Sequence, residues 1–249
     1  MIDKLLSYYF GFQERPVYNP AYIPEAAVVS GNIINPSSKN LAVIFPGWHG
    51  GSGFLYDKLA KRLTKRGWAV LDYKFHDSII EADDATVIKS FKQIQKQVAK
   101  ELQGFRSTNS YEKIHLIGIS LGNVPLAMVC KEFPGFDSAT LVVAGDDLAW
   151  DMWHGILTQD LRRGFEKEQI GIRRLDKDWL DLAPKNNLKN FALKPVKLYV
   201  ALKDDVIRTP YQKRLAEAVA KISDRVSVKN IRSGHAGTIV WFCLLAPLP

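Results

Sequence analysis

Short apolar runs alternate with amphipathic stretches along most of this chain, and that alternation constrains the fold more than any other feature. LAVIFPG (41–47), WAVLDY (68–73), KIHLIGI (113–119), SATLVVAG (138–145), VKLYVAL (196–202) and RVSVKNI (225–231) read as strands. Continuous apolar runs of this kind suit strands covered on both faces. Between them, FLYDKLAKRLTKRG (54–67) puts Leu55, Leu59 and Leu63 on one helical face and stops at Gly67. Further helices are predicted over 83–104, 122–133 and 210–223. The pattern predicts an α/β fold, a mostly parallel sheet with helices on both sides. Right-handed crossovers then bring the C-terminal ends of the strands to one edge, where open α/β sheets bind ligands. With 249 residues, 47% of them hydrophobic, the chain suits one such domain spanning 1–249.

Two segments interrupt the rhythm. Residues 1–40, with AAVVSGNII, are expected to form leading antiparallel strands. Residues 146–190 are too long for one crossover helix and hold Trp150, Trp153 and Trp179. They read either as a helical lid inserted over the strand ends or as surface helices burying their tryptophans on the core.

The segment LIGISLGN (116–123) places Ser120 between Gly118 and Gly122, where a strand gives way to a helix. G-x-S-x-G carries little information alone. At a strand-to-helix turn it describes a serine held on a bend too tight for bulky neighbours. Such a serine stands at the positive end of the following helix, and Pro125 in the first turn costs no needed N–H. Ser120 is thus a candidate nucleophile, and a serine needs a base. Of five histidines, His115 lies in a buried strand, His76 follows a strand in a polar loop, and His154 falls in the 146–190 segment. His235, in IRSGHAGT, follows the last strand on a loop of small residues and is the candidate base. A carboxylate must hold its tautomer. YVALKDDVIRTP offers Asp204 and Asp205 just past a strand, in the chain order Ser, Asp, His.

On these residues the chain resembles the α/β-hydrolases of the serine esterase, lipase and acyl-peptidase type over about residues 25–245. The resemblance implies an α/β-hydrolase fold and hydrolysis of a carboxylic ester through an acyl-enzyme. ALKDDVIRTP is similar to the family's acid loop, G-x-x-D-x-V-V before a Pro and a helix, with Ala201 in place of Gly. That pattern selects Asp204 over Asp205. It also implies an oxyanion hole with one amide from Leu121. The second amide belongs to VIFPGWHGGSG, either Trp48 after Gly47 or Gly51 after His49-Gly50, and Trp48 is preferred because it lies nearer the strand end. Trp150 and Trp153 are the expected substrate-binding side chains if the insertion walls the acyl site. A peptidase, a thioesterase, an acyltransferase and a non-catalytic ligand-binding protein remain as alternatives.

Little else in the sequence competes. No phosphate-binding loop, dinucleotide fingerprint or H-E-x-x-H occurs, so no cofactor or metal is implied, and Asp146, Asp147 and Asp151 lack metal-ligand spacing. The net charge of +8, from 34 Lys+Arg and 26 Asp+Glu, is spread over helix faces. It argues for solvated surface rather than nucleic-acid binding. The expected partner is a small acyl ester. Cys130 and Cys243 imply no disulfide framework, and the opening MIDKLLSYYFGFQERP makes a poor signal peptide, so a cytoplasmic location is expected. The tail TIVWFCLLAPLP (238–249) is shorter than the roughly 18 apolar residues of a spanning helix. It reads first as a helix packed on the sheet and second as a peripheral membrane contact.

Overall fold

A computed structural model describes residues 18–21, 28–29, 33–48, 53–75, 77–108 and 110–249. The strands are β1 (Val28–Val29), β2 (Ile33–Ile34), β3 (Asn40–Phe45), β4 (Trp68–Asp72), β5 (Lys74–Phe75), β6 (Lys113–Ile119), β7 (Ser138–Val142), β8 (Val196–Ala201) and β9 (Val226–Ile231). The α-helices are α1 (Phe54–Thr64), α2 (Asp84–Ser107), α3 (Asn123–Glu132), α4 (Leu148–His154), α5 (Gln159–Lys167), α6 (Ile172–Asp178), α7 (Thr209–Ile222) and α8 (His235–Leu245).

Seven strands form one sheet in the order β2-β4-β3-β6-β7-β8-β9. β2 runs antiparallel to β4, and every other pairing in that sheet is parallel. β1 pairs antiparallel with β5 outside it. The leading strands are therefore antiparallel, as their place before the alternating pattern suggested. Register places Phe45 opposite Gly118, Ile119 opposite Val142 and Ala201 opposite Ile231. The turns that follow β3, β6, β8 and β9 consequently share one edge.

Alternate residues of the central strands feed two cores. Leu41, Val43 and Phe45 point to the face covered by α2, α3 and α7, where Ile94, Val98, Leu126 and Leu215 are buried. Ala42 and Ile44 point to the other face, beneath Leu59 and Leu63 of α1 and Phe242 and Cys243 of α8. α2 starts cleanly because the Asp83 side chain accepts from the Ala85 and Thr86 amides. His115 is a core residue, between the hydroxyls of Ser138 (2.6 Å) and Thr140 (3.1 Å). Burial pushes its pKa down to about 3, so the ring is neutral.

β9 departs from the expected two-sided burial, since Ser227 to Asn230 are exposed. It is the edge strand, so only β8 pairs with it, and the Lys229 ammonium lies 4.5 Å above the Trp241 ring on its surface. The C-terminal tail packs by one side. Phe242, Cys243, Ala246 and Leu248 are buried, while Leu245 is 69% exposed. Arg62 donates to the Phe242 and Cys243 carbonyls and fastens α8 to α1. Among the described residues, no helix is long and apolar enough to cross a membrane.

Residues 146–190 hold α4, α5, α6 and three short 3₁₀ turns. Leu161, Phe165, Leu175, Trp179 and Leu182 of this region, with Phe191 just after it, join the core shared with α3.

Candidate active site

Ser120 directly follows β6 with φ of 53°, in the left-handed region that residues other than glycine mostly avoid. Local packing holds it there. A Cβ at Gly122 would overlap the carbonyl oxygens of Phe45 and Pro46, and one at Gly118 would lie 2.5 Å from Asn123 Oδ1. The glycines two residues either side of Ser120 are therefore required by close approach, not by flexibility. The Asn123 amide donates to the Ser120 carbonyl (2.8 Å) and to the Val142 carbonyl (2.9 Å), tying the bend to the next strand.

His235 opens α8 directly after Gly234. Its Nε2 lies 2.9 Å from Ser120 Oγ, and its Nδ1 lies 2.8 Å from Asp204 Oδ2. A carboxylate only accepts, so Nδ1 carries the proton and Nε2 is left to accept from the serine hydroxyl. The Asp204 side chain has no exposed surface. Its Oδ1 accepts from the Val206 and Ile207 amides (2.9 Å each), and its Oδ2 accepts from Gln212 Nε2 (2.7 Å) as well as His235. Gln212 is itself 1% exposed and spans the loop, donating to the Ile207 carbonyl and accepting from the Ala201 amide. Asp205 is exposed, and only its backbone carbonyl is used, by the Ile156 amide.

Three of the residues singled out from sequence, Ser120, Asp204 and His235, thus meet in one hydrogen-bonded row. Trp48 and Leu121 flank it, both lining a small cavity beside the bend. The loop after β3 is pressed against Ser120. A Cβ on Gly47 would come within 3.2 Å of both Ser120 Cβ and the Ile119 carbonyl oxygen. The Gly47 amide donates to the Tyr56 hydroxyl at 2.8 Å. Desolvation pushes that phenol well above its usual pKa, so it stays neutral. His49, Gly50 and Gly51, the alternative oxyanion register, lie outside the described residues, as does His76.

Trp150 and Trp153 are placed elsewhere. Trp150 lies flat on His154, with ring centroids 5.1 Å apart, and donates its indole N–H to Asp176. Trp153 is half-buried against the core. Neither lines the small cavity, nor the larger one of about 450 Å³ between His154 and Ile156 and the acid loop. Trp179 is 1% exposed, edge-on to Phe165. The reason is local: Trp150 finds its polar partner within the insertion, and Trp179 packs there against Phe165.

The acidic cluster after β7 is occupied by the protein's own cations. Arg214 grips Asp146 through two bonds (2.7 and 3.0 Å), and Lys185 meets Asp147 at 2.6 Å while Asp147 caps α4. Burial, reinforced by Asp146, Asp147 and Asp204, pushes the Asp151 pKa well above the carboxylate range, so it is neutral. Among the described residues, no group of three His, Cys, Asp or Glu side chains is arranged to hold a metal ion.

Sequence reasoning missed Gln212, Asn123 and Tyr56. Gln212 falls on the stripe shared by Leu215, Ala216 and Val219, and Asn123 opens a helix that is apolar from Val124 to Cys130. A polar residue on a buried face was the available signal in both cases. Tyr56, in the first turn of an amphipathic helix, carried none.

No family model and no curated protein matches the chain in sequence. Solved structures do match it in shape. A cold-adapted esterase from an Arctic intertidal metagenomic library aligns at 13% identity and a TM-score of 0.58, over 91% of this chain and 94% of that one. Acetyl xylan esterase 1 from Thermoanaerobacterium sp. JW/SL YS485 aligns at 18% identity and a TM-score of 0.61, over 84% and 76%. An acylaminoacyl peptidase from Pyrococcus horikoshii aligns at 15% identity and a TM-score of 0.62, over 94% of this chain but 40% of the peptidase. At such identities it is the architecture that is shared, and by that architecture this chain has the α/β-hydrolase fold.

Proposed function

We propose that this protein is a serine hydrolase that cleaves a carboxylic ester. The observation that carries the reading is the row Ser120–His235–Asp204, with separations of 2.9 and 2.8 Å, built on a serine at positive φ. His235 Nε2 takes the hydroxyl proton as Ser120 Oγ bonds to the acyl carbon. The amides of Leu121 and Trp48 receive the oxygen that becomes negative. Collapse breaks the bond to the alcohol, which leaves with the proton from His235, and water then releases the acid by the same steps in turn. Asp204 holds the imidazole tautomer and stabilises its charged form. An ester is favoured over an amide because its leaving group asks least of the general acid.

Labelling by an ethyl fluorophosphonate probe tests the reading, since Ser120 Oγ would displace fluoride and keep the phosphonyl group. Wild type should label and hydrolyse activated esters. Ser120→Ala should not label, and its turnover should fall on the order of 10⁶-fold with the fold intact by circular dichroism. An unlabelled wild-type protein would instead indicate a binding protein. A panel of matched amides tests the peptidase alternative.

A further inference from the structure

A small cavity lies beside the bend that carries Ser120. Its lining joins Gly47, Trp48, Leu121 and Gly122, from the bend and the loop pressed against it, to Phe75, Ile79, Phe91 and Ile94. Its free volume is about 20 Å³. A water-sized group needs roughly 10–15 Å³ of such space, so a cavity of this size suits a small acyl substituent better than a long one.

The floor is not free to retreat. Phe91 and Ile94 lie on the buried face of α2 with Val87, Val98 and Leu102, all within the core. Phe75 stacks on Phe45 and Tyr73, with centroids 6.3 and 6.5 Å away, and the Tyr73 hydroxyl is anchored on Glu101 at 2.7 Å. Interiors this tightly packed yield to an added methylene only by pushing side chains off their rotamers. The far wall contributes apolar side chains alone, so it favours a hydrocarbon acyl group over a polar one.

We propose that the protein selects acetyl esters, with α2 as the device that rejects longer acyl chains. This rests on Ser120 being the acyl acceptor. One unaccommodated methylene in an apolar pocket changes kcat/KM by about 10–200-fold. Among the p-nitrophenyl esters of acetate, butyrate, hexanoate and octanoate, kcat/KM should therefore peak at acetate. It should fall at least about tenfold by hexanoate.

Ile94→Ala, which opens the floor, should move the optimum to butyrate or beyond while fluorophosphonate labelling persists. Phe91→Leu serves the same purpose with less loss of core should Ile94→Ala unfold by circular dichroism. A wild-type profile that is flat or peaks at hexanoate or longer, with Ser120 labelled, overturns the acetyl assignment and leaves the nucleophile standing. Loss of all ester hydrolysis and of labelling in the wild type removes both. An optimum unmoved in every folded floor variant would show that α2 does not set the limit.

Discussion

The bend that carries Ser120 and the loop that carries Asp204 face each other across His235, and they are held by different means. Around Ser120 the constraint is shape. Gly118 and Gly122 permit contacts that no side chain could tolerate, and a serine sits at φ 53° because the strand before and the helix after leave no alternative. Around Asp204 the constraint is hydrogen bonding. Four donors converge on two oxygens, and three of them come from residues with no part in proton transfer: Val206, Ile207 and Gln212. A site held by shape fails when atoms are added. A site held by donors fails when the acceptor changes or a donor is removed.

The largest effect expected from this contrast is at the acceptor. In Asp204→Asn, either orientation of the amide points an N–H at a donor, on one side the Val206 and Ile207 amides, on the other Gln212 and the His235 Nδ1–H. Keeping its oxygen on the two backbone amides turns the amide N–H toward His235, whose imidazole can then bond only through the wrong tautomer, and kcat on an activated ester should fall by about 10⁴. Asp205→Asn, altering an exposed side chain, should stay within about twofold, as surface changes away from a network usually do. A dead Asp205→Asn beside an active Asp204→Asn would reverse the assignment of the loop.

Next comes the addition of a single methyl group to the bend. In Gly122→Ala the new carbon overlaps the Phe45 and Pro46 carbonyls, which belong to the central strand and the loop after it and cannot move aside. The bend must shift instead, and displacing a nucleophile by about 1 Å costs on the order of 10² in rate. Gly118→Ala is a sharper companion, because the first atom it meets is the Asn123 side-chain oxygen, which can yield at the cost of that side chain's bonds to the Ser120 and Val142 carbonyls. It should retain more activity and a faster rate of fluorophosphonate labelling than Gly122→Ala. Equal losses in the two variants would mean that the backbone contact at Gly122 is not what fixes Ser120.

The same contrast explains what could be read in advance. The bend was legible because its constraint acts between near neighbours, so Gly118, Ser120 and Gly122 had to appear at fixed spacing in the sequence. β6 likewise spans the predicted 113–119, since a strand buried on both faces must be mostly apolar, and its one buried polar side chain, His115, is satisfied by Ser138 and Thr140. β9 was legible as a strand but not as an exposed one, because burial depends on which strand ends the sheet. The tryptophans illustrate the opposite limit. Trp150, Trp153 and Trp179 share a segment, yet one stacks on His154, one leans on the core and one is buried beside Phe165. Composition announces aromatic surface without saying which way it faces. The acyl floor was hidden for a related reason: Phe91 and Ile94 keep the same helical period as the core residues around them, and only the fold reveals that part of that stripe meets a cavity.

The smallest expected effect isolates one donor. Gln212 reaches Asp204 from α7, eight residues along the chain, and simultaneously clips the Ile207 carbonyl and the Ala201 amide. Gln212→Leu keeps nearly the same volume and removes all three bonds. Asp204 retains the Val206 and Ile207 amides on its other oxygen, so the carboxylate stays in place but turns more freely toward His235. The loss should appear in kcat, at about 10–10² in rate, with KM nearly unchanged because no substrate contact is touched. Gln212→Glu separates positioning from packing. Its carboxylate would face that of Asp204 at hydrogen-bond distance, a like-charge contact the leucine variant avoids. The glutamate variant should therefore be the slower of the two at neutral pH and recover toward the leucine variant as acid protonates the pair. If both variants lose thermal stability equally and keep wild-type kcat, Gln212 only fills space. The acid loop would then be held by the Val206 and Ile207 amides without help from α7.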